Sequence, residues 1–151
     1  MAKLINILFI VLRLGLGGFM IYGGVQKFSK PIPTAVEVVD KAQKFSSPDQ
    51  ESTLQKVLYI NGAKQTGYFW QLLGICELLF GFLILIQGTA FVGALFLLPI
   101  TLHIFLFHVY LEPEEVGELF QTAALLVINI LLVLKEYKRF KHLLWIKPMA
   151  S

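Results

Sequence analysis

The chain has 151 residues, of which 56% are hydrophobic and only 15% charged, with a mean hydropathy of +0.71. A soluble domain carries about 25% charged residues, and thirteen Phe could not all be buried in one small aqueous core. The figures exclude a disordered chain and point to a membrane protein. A single cysteine, Cys76, excludes an intramolecular disulfide, a CxxC redox pair and a cysteine-rich zinc site.

Four apolar runs follow along the chain. Residues 4–25 hold one charge, Arg13, and residues 67–88 hold one, Glu77. Residues 89–111 hold none. The fourth run extends to 118–136, because Lys135 and Glu136 can snorkel to the interface. About 20 apolar residues cross a bilayer, and lipid leaves backbone polar groups no partner, so the spans must be helical. The expected fold is all-α: an integral-membrane four-helix bundle forming one transmembrane domain over 1–151. The first run is too long for a signal peptide and lacks a small-residue cleavage pattern, so it reads as a retained helix.

The loop 26–66 carries its own signals. Thr34 with Glu37, and Ser47 with Gln50, fit capping boxes, Pro48 suits a first helical position, and Asn61-Gly62 reads as a stop. Two short amphipathic helices are predicted near 34–45 and 48–60, lying over the bundle mouth with Val36, Val39, Leu54 and Leu58 facing it. In the basic tail 137–151, Tyr137, Phe140 and Leu144 continue a helical stripe begun by Leu134, which predicts an amphipathic segment anchored by Trp145. An even number of spans puts both termini on one side. Lys3, Lys135, Lys138, Arg139, Lys141 and Lys147 place that side in the cytoplasm.

An ionisable group at mid-membrane costs about 2.5–3.5 kcal/mol. Counting from the predicted span ends, Arg13 and Glu77 lie within about one turn in depth and are expected to pair. Gly67, Gly74, Gly81 and Gly88 recur every seven residues. Gly74 and Gly81 share the face of Glu77, and Gly17 and Gly24 share that of Arg13, so these four read as helix-packing positions. Pro99 precedes His103 by one turn and loosens its helix. Thr122 and Asn129 share a face of the last span. Arg13, Glu77, His103 and Asn129 are therefore expected to converge on one polar, ligand-binding pocket. The plainer alternative is an Arg–Glu pair that only fixes helix register.

No catalytic residue stands out, and no nucleophile motif, P-loop, Rossmann pattern or zinc signature is present. His108 lies about 140° around the helix from His103, so the two cannot hold one metal, and no metal site is expected. The acidic Glu112-Pro113-Glu114-Glu115 turn reads as a solvated external turn, with a divalent cation site there as the less favoured alternative. Nucleic-acid binding has no support.

The first span runs Arg13-Leu14-Gly15-Leu16-Gly17-Gly18 and exits through Gly24-Val25-Gln26-Lys27. The second carries Gly74-Ile75-Cys76-Glu77 with Gly81. With the histidines of the third span, these motifs resemble the DoxX family of small four-helix bacterial membrane proteins. The long first loop departs from shorter members. The resemblance implies a multi-pass protein of the bacterial cytoplasmic (inner) membrane. It also implies a redox-linked role, as a membrane subunit or partner of a quinone-linked oxidoreductase complex. Quinone is then the expected small molecule, and no cofactor is intrinsic to the chain. Partners would be the lipid bilayer and a protein of the same complex, and the glycine seams are compatible with a homo-oligomer. A non-catalytic assembly protein is the alternative, with a small-molecule or proton transporter behind it.

Overall fold

The computed structural model describes residues 2–137. The predicted tail helix, with Phe140, Leu144 and Trp145, lies outside the described residues. Within them the chain is all-helical: α1 (Ala2–Gln26), α2 (Ala35–Gln43), α3 (Glu51–Gln65), α4 (Phe69–Leu85), α5 (Ala90–Leu111) and α6 (Val116–Lys135). A short 3-10 turn, Pro48–Gln50, precedes α3.

Helices α1, α5 and α6 are long and apolar enough to cross a membrane. The fourth crossing is α4, which is joined to α3 through a bend of 87°. Gly67 makes that bend, with a φ of +77° that a side chain would resist. With α4 along the membrane normal, α3 lies across the end of the bundle. Leu4, Ile7, Val11, Leu79, Phe82, Phe96 and Phe120 are among many large apolar side chains left exposed, a surface that water would not tolerate and lipid would.

Helix α1 packs on α4, α4 on α5 and α5 on α6, while α6 closes back on α1 through a much thinner contact. Leu16, Met20, Ile84, Ala94, Leu97, Leu125 and Leu132 form the core between them. Glycine sets how closely α1 and α4 approach. A Cβ on Gly17 would lie 2.9 Å from the Gly81 carbonyl oxygen, and one on Gly24 would lie 2.9 Å from that of Gly74. Gly67 and Gly88 fall outside α4, so the seven-residue seam is two glycines long rather than four. Gly93 brings α5 against α4 in the same way, 2.8 Å from the Phe80 carbonyl oxygen.

The loop helices form close to the predicted places with different details. Thr34 and Glu37 make both halves of a capping box. Ser47 instead donates to the Gln50 side chain. Asn61-Gly62 does not stop α3, because Asn61 is buried and its amide returns to the Val57 carbonyl at 2.6 Å. The expected inward face also needs correction. Val36, Val39 and Leu58 are exposed, and Val57 and Asn61 are the buried residues of α3. Of the apolar residues of α3, Leu58 and Tyr59 are exposed, while Leu54, Ile60 and Ala63 are half-buried around Val57.

Candidate functional site

The predicted Arg13–Glu77 pair does not form. Gly17 opposes Gly81 and Gly24 opposes Gly74, so facing residues of α1 and α4 sum to 98. Arg13 then stands level with residue 85, the last of α4, eight residues or about 12 Å from Glu77. The expectation sets Leu4 level with Gly88, whereas Leu85 is level with Arg13 and the first turns of α1 run on past the end of α4. Arg13 instead lines a cavity at the terminal end with Asn6, Gln87 and Lys135, where its Nε makes no hydrogen bond.

Glu77 sits at the midpoint of α4, eight residues from either end, and only 1% of its surface is exposed. Its partner is Lys27, in the turn that ends α1, whose Nζ donates to Oε2 at 2.6 Å. The Lys27 ammonium also lies 5.3 Å from the centre of the Trp70 ring. Lys64 also lies over this ring, at 4.9 Å, so Trp70 contacts two cations.

The pair lines a cavity of about 290 Å³ inside the bundle. Phe19, Met20 and Gly23 come from α1, Ile104 and His108 from α5, and Glu118, Gln121 and Thr122 from α6. All four crossing helices contribute, and the cavity has an ionic wall facing apolar ones. Thr122 spends its hydroxyl proton on the carbonyls of Glu118 and Leu119, which leaves the Gln121 amide as a further neutral donor at the cavity wall.

The other expected site residues are elsewhere. His103 is on the outer face of α5, hydrogen-bonded to the Tyr59 hydroxyl of α3. Tyr59 also packs on Phe107, so His103 helps to seat α3. Asn129 is fully buried but faces the α5 backbone. Its amide donates to the Ala94 carbonyl at 2.9 Å and accepts from the Leu98 N–H at 3.1 Å and the Thr101 hydroxyl at 3.0 Å. Ala94 and Leu98 are the pair a regular helix would join directly. Asn129 thus contacts the α5 ladder beside Pro99 and is not among the residues lining the Glu77 cavity.

Sequence reading passed over Lys27 and His108. The signal for Lys27 was its side-chain direction, since side chains lean toward the N-terminus of their own helix. A lysine at the end of α1 therefore points back into the bundle. The signal for His108 was its i,i+4 spacing to Glu112. Its Nδ1 stands 3.0 Å from Glu112 and 3.7 Å from Glu118. Lys56 of α3 pairs with Glu112 from outside, and Ser52 donates to Glu114, so α3 is tied to the α5–α6 turn over the cavity.

Residues 8–109, about two thirds of the chain, match the DoxX family model. The chain belongs to the DoxX family. The match takes in α1 to α5 up to the level of His108, and so both Lys27 and Glu77. No curated protein and no solved structure matches this DoxX protein.

Proposed function

We propose that this DoxX protein is the membrane subunit of a quinone-linked redox system, and that its cavity receives the quinone head group. The observation that carries this reading is the Lys27–Glu77 pair on the wall of a cavity between the crossing helices. Buried ionic groups in a span are costly and mark substrate or proton paths. The volume is at the low end of the usual range for small-molecule sites, about 300–1,000 Å³, which suits a ring rather than a whole lipid. The thin α1–α6 contact gives an isoprenoid tail a lateral way out to the bilayer.

The chemistry asked of the chain is modest. Lys27 has two N–H groups beyond the one on Glu77 and can donate to a carbonyl oxygen. Glu77 is placed to accept a proton from a hydroxyl or to return it. With Cys76 as its lone cysteine, the chain has no dithiol to carry electrons, and this reading assigns them to a partner protein.

The test is quinone content. Protein purified from native membranes in mild detergent is extracted with solvent, and quinone per chain is measured by mass spectrometry. Near-stoichiometric quinone, reduced severalfold in Glu77→Gln, is the expected result. Quinone no higher than in an unrelated four-span protein overturns the reading and leaves the pair as a packing device in an assembly protein.

A further inference from the structure

We propose that His108, Glu112 and Glu118 bind one divalent first-row transition-metal ion at the loop-side mouth of the bundle. The last turn of α5 supplies His108 and Glu112 follows one turn on, at its C-terminal cap. The Pro113 turn then reverses the chain and brings in Glu118 from the first turn of α6. One ligand atom from each residue lies within 4.8 Å of the other two.

Three features favour a metal over a solvated acidic turn. First, the spacing is right. Ligands about 2.0–2.1 Å from a tetrahedral ion stand about 3.3 Å apart, and the two imidazole–carboxylate distances, 3.0 and 3.7 Å, bracket that value. Second, His108 is only 9% exposed, and its Nδ1 is buried without a hydrogen bond. A buried ring nitrogen facing two carboxylates is a donor set for a cation, and the contact with Glu112 is not aligned as a hydrogen bond. Third, Glu112 is already oriented. Lys56 holds its Oε1, and Oε2 is the oxygen turned to His108. A carboxylate fixed by an outer partner in this way is what ordered metal sites use.

One imidazole and two carboxylates suit Zn²⁺, Mn²⁺ or Fe²⁺ and disfavour soft Cu⁺. Three protein ligands leave a coordination position open. His108 and Glu118 both line the cavity, so the open position faces its interior. Glu118 is 60% exposed at its side chain, which gives the ion a route in from the aqueous side. The site stands whether or not a quinone occupies the cavity.

The test uses the full-length protein in detergent, stripped with a chelator and titrated with Co²⁺ as a spectroscopic stand-in for Zn²⁺. One Co²⁺ per chain is expected, with visible absorption bands that Zn²⁺ or Mn²⁺ displaces. Glu118→Gln, an exposed change that does not endanger the fold, should weaken Co²⁺ binding at least tenfold. His108→Ala should abolish saturable binding, with circular dichroism checking that the metal-free variant keeps its helical content. Absence of saturable Co²⁺ binding by the unmodified protein overturns the proposal, as does binding by Glu118→Gln within twofold of it. Quinone content is measured on the same samples, so either proposal can fail without the other.

Discussion

Lys27 and Glu77 reach each other from opposite directions along two antiparallel helices. Lys27 ends α1 and leans back toward its N-terminus, deeper into the bundle. Glu77 leans toward the N-terminus of α4, up toward the loop. They meet at 2.6 Å although their backbones are offset by six residues, under two turns, from the facing arrangement that sums to 98: position 27 faces 71, and Glu77 is six residues deeper. Arg13 leans the other way, away from Glu77, so side-chain direction adds to its eight-residue offset.

Removing one partner of a buried pair leaves the other uncompensated, at a cost of about 3–5 kcal/mol. Lys27→Met should therefore lower thermal stability in detergent more than Lys27→Met combined with Glu77→Gln. Arg13→Leu should be additive with Glu77→Gln to within about 0.5 kcal/mol, as for sites that share no partner. Coupling between Arg13 and Glu77 above that limit, in a double-mutant cycle, would contradict the register derived from the glycines.

The glycines divide into two classes that a sequence cannot separate. A Cβ on Gly17 would meet Leu85 at 2.7 Å as well as the Gly81 carbonyl, whereas one on Gly18 meets nothing within 4 Å. Gly17→Ala should lower stability by about 1–3 kcal/mol through overpacking. Gly18→Ala should be neutral or stabilising, by up to about 1 kcal/mol of helix propensity. Melting temperatures of the two single variants decide it, and equal losses would mean that α1 and α4 are not packed at this register.

Asn129 gives a third test. Asn129→Leu keeps the volume and removes the amide, leaving the Ala94 carbonyl and Leu98 N–H without the bridge beside Pro99. An unsatisfied buried polar group costs about 1–3 kcal/mol, so a loss of that size is expected with quinone content unchanged. Loss of quinone in a folded Asn129→Leu protein would return Asn129 to the binding site.

Hydrophobic runs made the all-helical membrane fold legible, because about 20 apolar residues with one charge have few other uses. Thr34 and Glu37 made the start of α2 legible, because a capping box is local. The site was less so. Glu77 was visible as a charge in a span, but its partner depended on the register between α1 and α4. Levelling Leu4 with Gly88 puts Arg13 beside Glu77. The glycine contacts shift α1 about six residues from that alignment, and Lys27 reaches Glu77 instead. His103 and Asn129 were read by face alone, and both faces were right for packing on a neighbour. Which neighbour they meet, α3 for His103 and the α5 backbone for Asn129, is set by the 87° lie of α3 and by the Pro99 interruption, which no periodicity reports.

Lys64 carries a pH signature. It lies near the end of α3, outside the crossing helices, and its ammonium is held below the usual lysine range, first by burial and then by Lys41 and Lys30. A depressed folded pKa means the unfolded chain binds the proton more tightly. Protonation of Lys64 therefore opposes folding at neutral pH. That opposition is relieved as pH rises through the folded value toward 10.5, the ordinary value. Lys64→Gln should remove it at all pH values, so the melting temperature of the variant should rise less between neutral and alkaline pH than that of the unmodified protein. The contact with Trp70 at 4.9 Å works against the shift by favouring the charged form. Lys64→Gln should therefore recover more stability at neutral pH in a Trp70→Leu background than it does with Trp70 present. Parallel melting curves for the variant and the unmodified protein from neutral to alkaline pH would show that Lys64 is fully solvated and that α3 does not press it against the bundle.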